Sequence, residues 1–138
     1  MKKQLDYYIK RAYENAKSKG FHLDDDEMRN KFKFRSTDYE YFCRLAMVKD
    51  LALIVTELAE AIEALRERRE ATDPVMKLKE SDPTYKTEDW KETFEEEIAD
   101  VFIRLFDFCG NYGIDIETFI NFKMDYNESR EWKHGKTL

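Results

Sequence analysis

Apolar residues recur every three to four positions in four stretches of the chain, the period of an α-helix that buries one face. The longest stretch carries Leu45, Val48, Leu51 or Ala52, Val55, Leu58 or Ala59, Ile62 and Leu65. This pattern predicts one long helix, bent near Lys49 and Asp50, and three shorter ones. The predicted helices span residues 4–19, 37 to about 70, 88–112 and 115–130.

Helix start and stop signals support these boundaries. Gly20 and Gly113 follow the last periodic residues of the first and third helices, where a left-handed residue ends a helix without strain. The sequence Thr37-x-x-Glu40 is a capping box that predicts the start of the second helix. The other two predicted N-caps are Thr87 and Asp115.

Two stretches lack a clear period. Residues 21–35 are predicted as a loop with a short helix, and their aromatic residues either pack in the core or stack on a base. Residues 71–86 are polar and contain both prolines, so we predict a connection there. The aromatic residues in question are Phe21, Phe32 and Phe34.

The composition is that of a single helical domain covering residues 1–138. Only 4 residues are glycine and 2 are proline, while hydrophobic residues make up 42%, which is enough for a core. A net charge of −6 disfavours a nucleic-acid or anionic membrane partner. No stretch has the length of a membrane span or the pattern of a leader. Cys43 and Cys109 lie in apolar stretches, as expected of reduced thiols in a cytoplasmic protein.

Two acid pairs stand out within the apolar helices: Glu57-x-x-Glu60 and Glu97-x-x-Asp100. Residues three apart share one helix face, so each pair presents two neighbouring carboxylates. Four clustered carboxylates repel one another, and a hard divalent cation would compensate them. The alternative is that all four are simply solvated on amphipathic helices.

A cationic cluster follows on the last helix. Lys123, Asn127 and Arg130 lie four and three residues apart and share a face, and Lys133 and Lys136 come soon after. Cationic and amide donors suit phosphate oxygens. The alternative is a solvated helix end, where the helix dipole favours cations. Together, the acids and the cations indicate a nucleotide or another polyphosphate bound with a divalent ion.

The order of these motifs resembles the MazG-like, all-α nucleoside triphosphate pyrophosphohydrolases, and the sequence Lys19-Gly20-Phe21 resembles a short stretch of the small members. The chain departs from them in the longer separation of the acid pairs, residues 61–96, and in His22, where relatives often carry Trp. The resemblance covers most of the chain.

The resemblance implies an all-α bundle of four to five helices, assembled as a homodimer or homotetramer. It implies cleavage of a nucleoside triphosphate between the α and β phosphates, giving monophosphate and pyrophosphate, with Mg²⁺ or alternatively Mn²⁺. Glu57, Glu60, Glu97 and Asp100 would be the metal ligands and catalytic acids. The implied phosphate contacts are Lys123, Asn127, Arg130, Lys133 and Lys136.

A helical regulatory or interaction protein that binds nucleotide or metal without turnover is the alternative function. His22 and His134 have no partners at zinc spacing, so neither is predicted to bind zinc. Arg104 and Asp107 are predicted to pair along one helix face, or to support Asp100 at the metal site. No nucleophilic Ser or Cys arrangement is present, so the predicted nucleophile is water.

Overall fold

Five α-helices make up the part of the chain that the computed structural model describes, which is residues 5–31, 37–69 and 91–130. The prediction of an all-α chain with four to five helices is confirmed for these residues. The predicted connection at residues 71–86 lies outside them. The helices are α1 (Asp6–Ser18), α2 (Leu23–Lys31), α3 (Thr37–Arg66), α4 (Phe94–Tyr112) and α5 (Ile116–Glu128).

Most helix ends lie where the stop and start signals predict them. Gly20 has a φ of 83°, and the backbone N–H of Phe21 donates to the carbonyl of Ala16 at 3.1 Å, which closes α1 in a Schellman motif. Gly113 ends α4 in the left-handed conformation. Asp115 caps α5, since its carboxylate accepts a hydrogen bond from the backbone N–H of Thr118.

The start of α4 differs from the prediction. The helix begins at Phe94 and not at Glu88, because Glu92 has a φ of 60° and interrupts any helix running in from Glu88. Thr93 is extended and its hydroxyl accepts from the backbone N–H of Glu96 at 3.4 Å, so Thr93 is the N-cap. The predicted cap Thr87 lies outside the described residues.

Helix α4 is the central element and packs against α1 and α3. It runs antiparallel to α3: the backbone N–H of Phe94 donates to the carbonyl of Arg69 at one end, and the Tyr112 hydroxyl donates to Asp50 at the other. This arrangement places the acids in the C-terminal half of α3 beside those in the first turns of α4.

The core that the described residues bury is made mainly of small side chains. Helix α3 turns Ile54, Glu57, Ala61 and Ala64 inward, at spacings of three and four, and keeps its larger residues outside. Val48, Val55 and Ile62 are 62%, 62% and 60% exposed. The predicted stripe therefore exists but is not the core of this chain. We call six of its exposed residues the outer seam: Val48, Leu51, Val55, Leu58, Ile62 and Leu65.

The two cysteines are free; Cys109 is buried and Cys43 is half-buried. None of the described helices combines the length and hydropathy needed to cross a bilayer.

Candidate metal centre and adjoining cavity

Three of the four predicted metal ligands lie together. One carboxylate oxygen from each of Glu57, Glu60 and Glu97 lies within 4.8 Å of the other two. Glu57 and Glu97 are 6% and 7% exposed, whereas Glu60 is exposed. The fold thus brings Glu57 and Glu60 of α3 together with Glu97 of α4, so the cluster has two buried carboxylates and one that faces water.

Local structure explains how the three acids meet. Glu57 and Glu60 are three residues apart on α3 and therefore project from neighbouring positions of one face. Glu97 lies in the first turn of α4, where the unpaired N–H groups and the helix dipole stabilise negative charge. Antiparallel packing sets that turn against the C-terminal half of α3.

The burial of Glu97 is unfavourable for its charged form. Burial raises the pKa of Glu97, and neighbouring carboxylates raise it further. Within the described residues, neither a cation nor a hydrogen-bond donor contacts its carboxylate. An acid buried among acids needs a positive partner, and carboxylate oxygens are the ligands that Mg²⁺ and Mn²⁺ prefer. The neighbouring carboxylates are Glu60, Glu96, Glu57 and Asp100.

Asp100, the fourth predicted ligand, lies beside the three-acid cluster and is half-buried. Burial raises its pKa, Glu57 and Glu96 raise it further, and Arg104 lowers it. Glu96 therefore acts on two of the predicted ligands.

Arg104 pairs across the helices and not along its own. Its Nε lies 2.5 Å from Oε1 of Glu57 on α3. The predicted pair of Arg104 with Asp107 is therefore wrong for the described residues, because the antiparallel packing of α3 on α4 places the buried carboxylate of Glu57 against Arg104. Asp107 instead contacts His22, whose Nε2 lies 2.9 Å from Oδ1 of Asp107.

A cavity of about 460 Å³ adjoins the acids, and Asp100 and Arg104 lie in its wall. It opens between α1, α3 and α4. Ala12, Leu53, Ile103 and Phe108 supply apolar surface, and Phe21 also lines it although 77% exposed. Phe21 is thus not a core residue, while Phe32 and Phe34 lie outside the described residues. The polar lining includes Asn15, His22, Lys49, Asp50, Asp107 and Asn111.

Three of the predicted phosphate contacts, Lys123, Asn127 and Arg130, do not line the cavity. Lys123 and Asn127 lie on α5 and Arg130 lies two residues after its end, and every residue from Phe119 to Arg130 is exposed. The Lys123 ammonium and the Arg130 guanidinium lie 5.0 and 5.5 Å from the centre of the Tyr126 ring. Lys133 and Lys136 lie outside the described residues.

The sequence pattern did not predict the cavity or the contact of His22 with Asp107. The available signal was the continuation of one α4 face from Glu97 through Asp100 and Arg104 to Asp107, at spacings of three and four. That face is polar within an otherwise apolar helix, which indicates polar partners on the facing elements.

Comparisons with protein-family models, with curated proteins and with solved structures found no match to this chain. Membership of the MazG-like family therefore stays a prediction from the motifs.

Proposed function

We propose that the protein is a Mg²⁺-dependent nucleoside triphosphate pyrophosphohydrolase that releases nucleoside monophosphate and pyrophosphate. The observation that carries the proposal is the cluster of Glu57, Glu60 and the buried Glu97, together with a cavity whose wall contains the fourth predicted ligand, Asp100. The motif order that resembles the MazG-like enzymes supports the same activity.

In this proposal Glu57, Glu60, Glu97 and Asp100 bind the cation, with Mn²⁺ as an alternative to Mg²⁺. A bound divalent ion would neutralise phosphate charge and lower the pKa of a water nucleophile. The attacking water must lose a proton, and Glu60 is the exposed member of the cluster. We therefore assign Glu60 a second role in addition to binding the cation, as the acceptor of this proton.

The cavity would hold the nucleoside. Its volume of about 460 Å³ lies in the range of small-ligand sites. Apolar residues can face a base, and the amides of Asn15 and Asn111 can pair with its polar edge. Because Asp100 and Arg104 belong to both the cavity wall and the acid region, a nucleoside there would direct its phosphates toward the cluster.

The outer seam supports a homodimer or homotetramer as the working form. Its residues alternate at spacings of three and four, with Val or Ile at one position and Leu at the other. This is the heptad pattern that favours two-stranded helix pairing. In this proposal the exposed residues Lys123, Asn127 and Arg130 contact the substrate phosphates.

Separation of the reaction products tests the proposed activity. Purified protein is incubated with a panel of natural and modified nucleoside triphosphates and millimolar Mg²⁺, and products are resolved by anion-exchange chromatography. We expect monophosphate and pyrophosphate in equal amounts, and none with a chelator. Orthophosphate and diphosphate as the first products would contradict the cleavage site.

Matched variants assign the activity to the cluster. Glu97→Gln should lower turnover by orders of magnitude, because it removes a buried cation ligand. Glu63→Gln, an exposed acid on α3 paired with Arg66, is the control and should retain activity. Binding of metal or nucleotide without any turnover would favour the alternative, a helical regulatory protein.

A further inference from the structure

Building on the proposed function, we propose that Arg104 substitutes for the cation in the metal-free protein and moves to a substrate phosphate when the cation binds. Its guanidinium would thus serve two anions in turn: the carboxylate of Glu57 first, and a phosphate in the adjoining cavity afterwards. Arg104 would be a substrate-binding residue that becomes available only in the metal-loaded state.

The first observation is the position of Arg104 at a predicted cation ligand. Its Nε lies 2.5 Å from Oε1 of Glu57, and the Glu57 side chain is 8% exposed. Glu57 is also one of the three acids whose oxygens lie within 4.8 Å of one another. The guanidinium therefore neutralises the same carboxylate that a cation in the cluster would use.

The second observation is the unequal neutralisation of the two buried acids. Glu57 has Arg104, whereas the Glu97 carboxylate contacts no positive group in residues 5–31, 37–69 and 91–130. Glu97 is 7% exposed and its carboxylate lies within the cluster. One guanidinium cannot compensate both acids, so the cluster retains an affinity for a cation even with Arg104 in place.

Charge repulsion provides the reason for the exchange. A divalent cation held by Glu57 and Glu97 and a guanidinium on the same Glu57 carboxylate are like charges a few ångströms apart. Binding the cation therefore weakens the contact of Arg104 with Glu57. The guanidinium then gains more from an anion elsewhere than from a carboxylate already neutralised.

The cavity is where the Arg104 guanidinium would contact a substrate phosphate. Arg104 lies in the cavity wall, and its side chain is 44% exposed, so its guanidinium can rotate without movement of the helix. Asp100, one turn earlier on α4, lies in the same wall. Phosphate oxygens beside a cation in the cluster would lie within reach of a planar guanidinium that can donate two parallel hydrogen bonds.

Two binding measurements on Arg104→Gln test the exchange. Mn²⁺ alone is titrated into nucleotide-free protein by calorimetry, and an α,β-methylene triphosphate analogue is titrated in the presence of saturating Mn²⁺. We expect the variant to bind Mn²⁺ about tenfold more tightly, because the competing guanidinium is gone. We expect it to bind the analogue about tenfold or more weakly.

Two further variants complete the experiment. Arg104→Lys keeps a charge without the planar fork, so we expect Mn²⁺ affinity near that of the unchanged protein and analogue affinity reduced. Arg66→Gln removes an exposed arginine of α3 and should alter neither affinity. Circular dichroism of each variant confirms that it is folded before titration.

The outcomes separate this proposal from the proposed function. Unchanged or weaker Mn²⁺ binding by Arg104→Gln would overturn the exchange and make Arg104 a fixed structural partner of Glu57. Unchanged analogue binding would overturn the phosphate contact. Wild-type protein that binds Mn²⁺ but never releases pyrophosphate would refute the enzyme activity, while the competition between Mn²⁺ and Arg104 would still be measured.

Discussion

The Nε2 atom of His22 lies 2.9 Å from Oδ1 of Asp107, joining two residues that are 85 positions apart in the chain. His22 is buried, and the ring of Tyr13 lies 5.3 Å from it. The contact ties the segment between α1 and α2 to α4 and forms part of the cavity wall. Burial raises the pKa of Asp107, while the hydrogen bond with His22 acts in the opposite direction.

Replacing His22 should destabilise the fold. In His22→Ala the Asp107 carboxylate loses its buried donor, which costs about 1.5–3 kcal/mol for a hydrogen bond to a charged group. Urea unfolding followed by circular dichroism measures the loss. Arg66→Ala, which removes an exposed ion pair on α3, should change stability by less than about 1 kcal/mol. Equal unfolding midpoints for the two variants would show that the buried contact adds nothing.

The metal-free protein should become less stable as the pH rises above the ordinary pKa of Glu97. Burial raises this pKa above 4.5, so the folded state holds the Glu97 proton more tightly than the unfolded chain. The bound proton of Glu97 stabilises the folded state fully below pH 4.5. This stabilisation is lost as the pH rises through the pKa that Glu97 has in the folded protein. Denaturant unfolding in chelator from pH 4 to pH 8 measures this loss by comparing the wild type with Glu97→Gln.

Glu97→Gln should remove this pH dependence of the free energy of unfolding. Without metal, the variant should be as stable as the wild type at neutral pH, or more stable. Neutralising one acid of a repelling cluster relieves the repulsion. The same variant should lose most of the stabilisation by Mg²⁺, which acts by mass action on the folded state. A Glu97→Gln protein that melts earlier in chelator would identify Glu97 as a structural partner.

Disrupting the outer seam should dissociate the protein. Val55 is 62% exposed, and Val55→Lys would place a charge in the middle of the proposed contact between copies. Sedimentation velocity at micromolar concentration should show a dimer or tetramer for the wild type and a monomer for the variant. Glu63→Lys adds the same side chain at an exposed polar position of α3 and should leave assembly intact. A monomeric wild type would contradict the proposal that the outer seam is an interface between two copies.

Adding one methyl group at Gly110 should be costly. A Cβ there would lie 2.7 Å from Cβ of Tyr13, which cannot move without shifting α1 against α4. Overpacking costs about 1–3 kcal/mol, more than the gain of about 1 kcal/mol that alanine brings to a helix. Thermal unfolding should therefore rank Gly110→Ala below the wild type. Asn121→Ala, at an exposed position of α5, should be neutral or slightly stabilising.

Removing a proposed phosphate contact should weaken substrate binding and leave metal binding unchanged. Arg130→Ala should raise the Michaelis constant about tenfold or more, because a charge-assisted hydrogen bond contributes about 1.5–3 kcal/mol. Stabilisation by Mg²⁺ should be nearly unchanged, since Arg130 touches no cation in the proposal. Lys10→Ala, an exposed cation of α1, is the matched control. Unchanged kinetics in Arg130→Ala would indicate that the cationic residues of the last helix are only solvated and do not contact the substrate.

The helices could be predicted from the sequence because their signals are local. Apolar periodicity, the glycines at positions 20 and 113 and the cap at Asp115 act over one or two turns, and the structure confirms them. The predicted start of α4 at Glu88 was wrong because Glu92 has a positive φ that the sequence does not reveal, and the helix begins only at Phe94. The acid pairs were also local, since a spacing of three places two carboxylates on one face.

Only the tertiary structure decided which of these faces meet. The antiparallel packing of α3 on α4 brings three acids together and leaves Asp100 beside them. The same packing makes Glu57, and not Asp107, the ion-pair partner of Arg104. It also turns small residues of α3 inward and its large ones outward. Helical periodicity identifies apolar faces but not their partners, because a partner is chosen by long-range packing and charge compensation across the fold.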